Sequence, residues 1–183
     1  MELQTNRLQI IAATSALGHA ELENRKLFAH LLNAAVPSNW PPPLNDDASM
    51  AWFTNYLESN SNSSGWACWY FLLRMSSGER IAIGNGGFKG KPNNEGIVEV
   101  GYSVLEEYQR NGYATEAVRA LVQWGFSHTE VTQIIAHTFP DLKLSIRVLE
   151  KSGFTYAGKG VEEGTVKYQL LRENYLRSDS VNF

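Results

Sequence analysis

Hydrophobic residues recur along this chain with two periods, and the switches between them divide it into elements. Residues 8–13 read as a first strand, closed by Thr14 and Ser15, which favour a helix start. Leu17, Leu22, Leu27, Phe28, Leu31 and Leu32 then return at near-helical spacing and predict one helix over about 15–33. The stretch 37–43, Pro-Ser-Asn-Trp-Pro-Pro-Pro, cannot continue it, because proline lacks a donor and restricts its predecessor. Asp46 or Asp47 can cap a second helix with Met50, Trp52, Phe53, Tyr56 and Leu57 on its buried side. A polar breaker, 59–65, follows.

Two strands, 66–75 and 80–89, flank the turn-former Ser76-Ser77-Gly78-Glu79 and read as a hairpin. A further strand, 96–104, sets Val98, Val100, Tyr102 and Val104 on one face and Glu99, Gly101 and Ser103 on the other. The period then changes. Ala114, Ala117, Val118, Leu121 and Val122 form a helical stripe that reaches about His128. A strand over 131–139, a helix over 142–152 stopped by Gly153, and strands over 154–158 and 165–171 complete the order. With no internal repeat and no long linker, this order predicts a single domain over 1–183. Its class is α/β (α+β), one mixed sheet covered by helices.

Composition narrows the functions. Of 183 residues, 43% are apolar and 19% charged, an ordinary globular balance. The net charge of -3 and the lack of a Lys/Arg cluster argue against nucleic acid as the main ligand. Cys68 is the only cysteine, which excludes an intramolecular disulfide and a cysteine-built metal site; inside the apolar run 66–73 it reads as a buried small hydrophobe. No spacing of His19, His30 and His128 suggests metal ligands. No apolar run approaches the roughly 20 residues that span a bilayer, and the first residues lack a signal-peptide pattern, so a cytoplasmic protein is expected.

The strongest chemical signal is the junction 98–117, where a strand passes through the loop Gln109-Arg110-Asn111-Gly112 into a helix beginning Tyr113-Ala114-Thr115. Free N–H groups and the dipole at a helix start bind phosphate without a metal. Gly112 permits close approach or a positive φ, Ala114 adds little bulk and Arg110 can add charge. The segment is neither a P-loop, since no Gly-Lys-Ser/Thr follows, nor a dinucleotide fingerprint, since the third glycine is absent.

The run 109–114 resembles the Gln/Arg-x-x-Gly-x-Gly/Ala signature of the GNAT superfamily of N-acetyltransferases. Thr5-Asn6-Arg7-Leu8 and Ser145-Ile146-Arg147-Val148-Leu149-Glu150-Lys151-Ser152-Gly153-Phe154 look like the branch that contains the ribosomal-protein N-terminal acetyltransferases. The resemblance spans nearly the whole chain. It implies a mostly antiparallel sheet whose central strand carries a bulge and splays from its neighbour, and acetyl-CoA as acyl donor with no metal. Main-chain groups of Tyr102, Ser103 and Val104 would pair with the pantetheine arm. N–H groups of Arg110, Asn111, Gly112, Tyr113, Ala114 and Thr115 would hold the pyrophosphate. Dimers are common in the family, which leaves a homodimer open.

Two positions depart from the family pattern. Leu142 stands where many members have an asparagine that bonds the cofactor, and Leu149 where many have a tyrosine that protonates the thiolate; leucine at the second is common in this branch. By the same resemblance Glu99 is the expected general base, usually through water, and Ser145 a proton donor to the thiolate. The residues alone also allow Glu99 to be a salt-bridged carboxylate, Ser145 a helix-cap or cofactor-binding hydroxyl, and His137 an alternative acid or base. Trp40 in the proline-rich loop, with Phe53, is the candidate wall of the acceptor pocket. The expected activity is acetyl transfer to a primary amine, a protein N-terminus or a small molecule, by direct attack in a ternary complex. The alternative is a non-catalytic acyl-CoA-binding or partner-binding module.

Overall fold

A computed structural model describes residues 1–45, 47–60 and 62–179. Eight strands form one sheet: β1 (Glu2–Gln4), β2 (Leu8–Ala12), β3 (Cys68–Arg74), β4 (Arg80–Phe88), β5 (Ile97–Val104), β6 (Gln133–Thr138), β7 (Thr155–Lys159) and β8 (Val166–Leu171). Their spatial order is β1-β2-β3-β4-β5-β6-β8-β7, and every neighbouring pair is antiparallel except β5 and β6. That parallel pair needs a crossover, which α4 (Tyr113–Ser127) supplies. The remaining helices are α1 (Ser15–Glu23), α2 (Arg25–Leu32), α3 (Asp47–Ser59), α5 (Lys143–Lys151) and α6 (Arg172–Asp179).

Two cores result from the strand alternation. Val98, Val100 and Val104 of β5 face α4 and join Leu121, Val122 and Leu149 in the larger core. Tyr70, Leu72 and Ala82 face the other way and meet Leu17, Phe28, Leu32 and Phe53 beneath α1–α3. Trp66, Trp69 and Trp124 pack ring against ring in the larger core, with centroids 4.7 and 5.3 Å apart.

Several expectations need correction. The helix expected over 15–33 is two helices, because Asn24 leaves helical geometry at φ -149° and its side chain caps α2 by accepting from the Leu27 N–H at 3.0 Å. Asparagine is a weak helix former and a strong cap, and here the cap wins. Leu27 and Leu31 consequently face outward. Trp52 is 47% exposed rather than buried: Met50, Phe53 and Leu57 form the inward stripe of α3, and Trp52 stacks on Tyr56 outside it. Strand β1 and helix α6 were not expected. Asp47 is the first residue of α3, and a cap at Asp46 lies outside the described residues.

The expected bulge in β5 is absent from its pairing with β4, which runs without a shift from Gly84↔Val104 to Phe88↔Val100. The register shift lies one strand away, at Phe71/Leu72 of β3, where β4 carries one residue more. The splay is present. Strand β5 pairs with β6 only over Ile97–Glu99 against Gln133–Ile135, while β6 continues beside β8 to Thr138.

Candidate active site

A wedge opens where β5 and β6 part. Beyond Glu99 the β6-facing edge of β5 has no strand partner, so its backbone groups around Tyr102, Ser103 and Val104 are free to pair with an extended ligand. The wedge leads to the loop before α4. Gly112 occupies the N-cap of α4 at φ 82°, ψ 2°, and no side chain caps the helix. The first-turn N–H groups are left for an anion. Arg110 is also left-handed, at φ 62°.

Polar side chains of the loop hold its shape. Gln109 Nε2 donates to the Val104 carbonyl at 2.9 Å, and Asn111 Nδ2 donates to the Gln109 carbonyl at 2.9 Å. The turn between β1 and β2 buttresses it from outside. Arg7 donates to Glu116 Oε2 at 2.7 Å and to the Asn111 carbonyl at 2.9 Å, and its guanidinium covers the Tyr113 ring at 4.4 Å. Thr5 Oγ1 and the Arg7 N–H both donate to Glu116 Oε1. Burial pushes the Glu116 carboxyl up, but these hydrogen bonds and the charge of Arg7 outweigh it and hold the group below its usual range. The Thr5-Asn6-Arg7-Leu8 run thus has a physical role in setting the loop.

The two faces of the wedge carry different chemistry. On the α4/α5 side the Tyr102 hydroxyl donates to the Ser145 carbonyl at 2.9 Å and lies 3.2 Å from Ser145 Oγ. Burial, opposed by the Ser145 hydrogen bond, pushes the Tyr102 phenol up to about 12. It stays protonated at neutral pH, so the Ser145 hydroxyl has a fixed partner. On the α1–α3 side Glu99 Oε1 meets Lys89 Nζ at 2.6 Å and His137 Nδ1 at 3.1 Å. His137 Nε2 is buried without a hydrogen bond. Gly101 lies between Glu99 and Ser103 on this face, and a Cβ built on it meets nothing within 4 Å. The space above the middle of β5 is open.

The loop 37–45 roofs that side. Ser103 Oγ donates to the Pro43 carbonyl at 2.6 Å, and Asn39 Nδ2 donates to Glu107 Oε2 at 2.9 Å. Trp40 is half-buried and packs near Phe28, at 5.8 Å, and Tyr70, at 6.3 Å. Phe53, expected beside Trp40 in the acceptor wall, lies within the smaller core, 7% exposed, and Trp40 packs against that cluster. Sequence reasoning overlooked Glu21 of α1, which accepts from Trp40 Nε1 at 2.8 Å and from the Tyr70 hydroxyl at 2.6 Å. Its partners are 19 and 49 residues away, so no local pattern announced it. Leu142 occupies the N-cap of α5 without a side-chain bond, and Leu149 is 1% exposed in the core, so neither supplies a polar group. Burial and the nearby Glu21 raise the Cys68 thiol well above its normal value, which removes it as a nucleophile. Among the described residues no group of three or more His, Cys, Asp or Glu is placed to hold a metal ion, and no helix is long and apolar enough to cross a membrane.

The frame of the site is a mixed sheet with one splayed parallel pair and a glycine-led helix start without a side-chain cap at its mouth, with Glu99 on one face and the Tyr102–Ser145 pair on the other. The acetyltransferase (GNAT) domain family matches residues 17–155, and the chain belongs to that family. It is 28% identical over 162 residues to the uncharacterized N-acetyltransferase YjdG of Bacillus subtilis, covering 87% of this chain and 93% of that protein. Its fold is similar to that of ribosomal-protein-S5-alanine acetyltransferase from Vibrio fischeri, with a TM-score of 0.61 and 18% identity over 94% of this chain and 97% of that one. It is also similar to the microcin C7 self-immunity acetyltransferase MccE in complex with acetyl-CoA and AMP, with a TM-score of 0.60 and 15% identity over 91% and 93%. The protein is an acetyl-CoA-dependent N-acetyltransferase. The residues present suit that donor: an unpaired strand edge for its amide-bearing arm and a glycine-opened helix start for its pyrophosphate.

Proposed function

We propose that acetyl transfer takes place at the middle of β5, with the donor's arm along Tyr102–Val104 and the amine arriving over Gly101 beneath the Trp40 loop. Bound there, acetyl-CoA supplies an acyl carbon activated by its thioester. Main-chain N–H groups from Arg110 to Thr115 hold the pyrophosphate, and Arg110 adds charge. The Glu99 carboxylate accepts the proton that the amine loses as the C–N bond forms, directly or through one water. Ser145 Oγ–H, oriented by the Tyr102 hydroxyl, provides the proton for the sulfur as the C–S bond breaks. Trp40 borders the acceptor and helps exclude water, which favours the neutral, nucleophilic amine. The enzyme works in the cytoplasm, in keeping with a single cysteine that cannot form an intramolecular disulfide.

The observation that carries this reading is the unpaired edge of β5, with Glu99 on one side and the Tyr102–Ser145 pair on the other. The test is thiol release from acetyl-CoA against a panel of primary amines, with product masses. Amine-dependent release and a product heavier by one acetyl group are expected; release that no amine accelerates would contradict the reading.

A further inference from the structure

Glu21 holds a carboxylate at the inner end of the acceptor face without a balancing charge. Both of its hydrogen-bond donors, Trp40 Nε1 and the Tyr70 hydroxyl, are neutral. No Lys, Arg or His among the described residues forms an ion pair with it. Arg25, four residues on, would be its natural partner in a continuous helix. The break at Asn24 turns Arg25 away, and its guanidinium donates instead to the carbonyls of Ser38 and Val36 at 3.2 and 3.3 Å. Desolvation accordingly pushes the Glu21 carboxyl above its usual range, against the two hydrogen bonds. A carboxylate kept where ionisation is costly, with aromatic rings around it and no cation of its own, is suited to a cation brought by a ligand.

Its place in the sheet tells where that cation belongs in the acceptor. Tyr70 pairs with Asn85 and Asn85 with Ser103, so the three side chains lie in one row on the face covered by α1–α3. Glu21 is bonded to the Tyr70 end, and Ser103, beside open Gly101, marks the β5 end. The loop carrying Trp40 joins the two, since Trp40 bonds Glu21 and Pro43 bonds Ser103. The row crosses two strand spacings, roughly 9–10 Å.

We propose that Glu21, with the Trp40 ring, is the anchor for a second cationic group on the acceptor, and that the enzyme prefers linear diamines. The reacting amine lies over Gly101 while the distal ammonium pairs with Glu21. This rests on the transfer point assigned above. At about 1.2 Å per bond for an extended chain, a span of roughly 9–10 Å separates the two nitrogens by about eight bonds. A protein N-terminus without a basic group at that distance leaves the carboxylate unpaired and is a poorer acceptor.

The experiment compares 1,7-diaminoheptane with 7-amino-1-heptanol, which keeps the reacting amine and replaces the distal ammonium by a hydroxyl. Wild-type kcat/KM is expected to favour the diamine about tenfold or more, in line with one partly buried charge pair. In Glu21→Gln the ratio falls to near one while acetyl-CoA affinity is kept. A length series in the wild type gives a reading that needs no variant: the preference vanishes between 1,3-diaminopropane and 3-amino-1-propanol, which are too short to reach Glu21. An equal ratio in Glu21→Gln, or a preference independent of length, overturns the proposal. If no amine is turned over although acetyl-CoA binds, the transfer reading fails. The anchor is then judged by calorimetry with 1,7-diaminoheptane, where binding about tenfold weaker in Glu21→Gln supports it and equal binding overturns it.

Discussion

Tyr102 of β5 donates its hydroxyl to the main-chain carbonyl of Ser145 on α5 at 2.9 Å, joining the two sides of the wedge at the level where β5 has lost its strand partner. The same phenol lies 3.2 Å from Ser145 Oγ, which gives that hydroxyl a defined direction. Leu149, buried in the core, cannot contribute a proton, whereas the Tyr102–Ser145 pair offers hydroxyl groups on this face. Tyr102→Phe and Ser145→Ala should each lower kcat by about tenfold or more. Because they act as one unit, the double variant should be little worse than either single one. Steady-state kinetics on all three measures this, and fully additive losses would mean two independent roles.

Glu99→Gln keeps the shape of the side chain and its bond from Lys89 or His137 but removes its basicity. Turnover should fall by about 10²–10⁴-fold with acetyl-CoA affinity unchanged. The residual rate should rise with pH only as the free amine is deprotonated. Turnover equal to the wild type at neutral pH would transfer the role to water or to His137.

At Gly112 the backbone is left-handed, at φ 82°, which a β-branched residue does not tolerate. Gly112→Val should destabilise the fold by about 1–3 kcal/mol and weaken acetyl-CoA binding at least about tenfold, whereas Gly112→Asn, which accepts this region, should do less of both. Arg110→Ala should have a smaller effect on affinity, since main-chain donors carry most of the recognition. Calorimetry with acetyl-CoA and thermal unfolding separate the two losses.

Two carboxylates should give opposite pH signatures. The carboxyl of Glu116 is held below the ordinary value of 4.5, so its contribution is present above that pH and is lost as pH falls through the lowered value. Glu21 is raised above 4.5, so the folded state loses stability as pH rises from 4.5 through the raised value. The stability difference between wild type and Glu116→Gln should therefore grow in favour of the wild type as pH rises toward and past 4.5. The difference from Glu21→Gln should move against the wild type above it. Urea unfolding of both variants across acid to neutral pH tests the two signs.

The parts of this site that depend on local pattern were readable from the residues alone. Alternation over 98–104 put Glu99 and Tyr102 on opposite faces, and the change of period at Gly112 located the helix start. Asn24 was not readable, since a periodic run of leucines hides a cap in its middle and only the packing of α1 and α2 on separate parts of the smaller core resolves it. Trp52 was misplaced for a related reason: an aromatic looks like core wherever it stands, although it falls outside the Met50–Phe53–Leu57 stripe. Lys89, Arg7 and Glu21 act through partners 10, 109 and up to 49 residues away. Charge pairs of that kind leave no periodic trace, and the fold must exist before they can be named.

Amide hydrogen exchange with and without acetyl-CoA tests the central assignment, the splayed edge of β5 and the start of α4 as the donor site. Saturating acetyl-CoA should slow exchange within 102–104 and 110–115 and leave the outer surface of α4 near Arg119, with Lys151 and Tyr175, unchanged. Protection confined to the surface around Arg119, Lys151 and Tyr175, with 102–104 and 110–115 exchanging as before, would contradict the account.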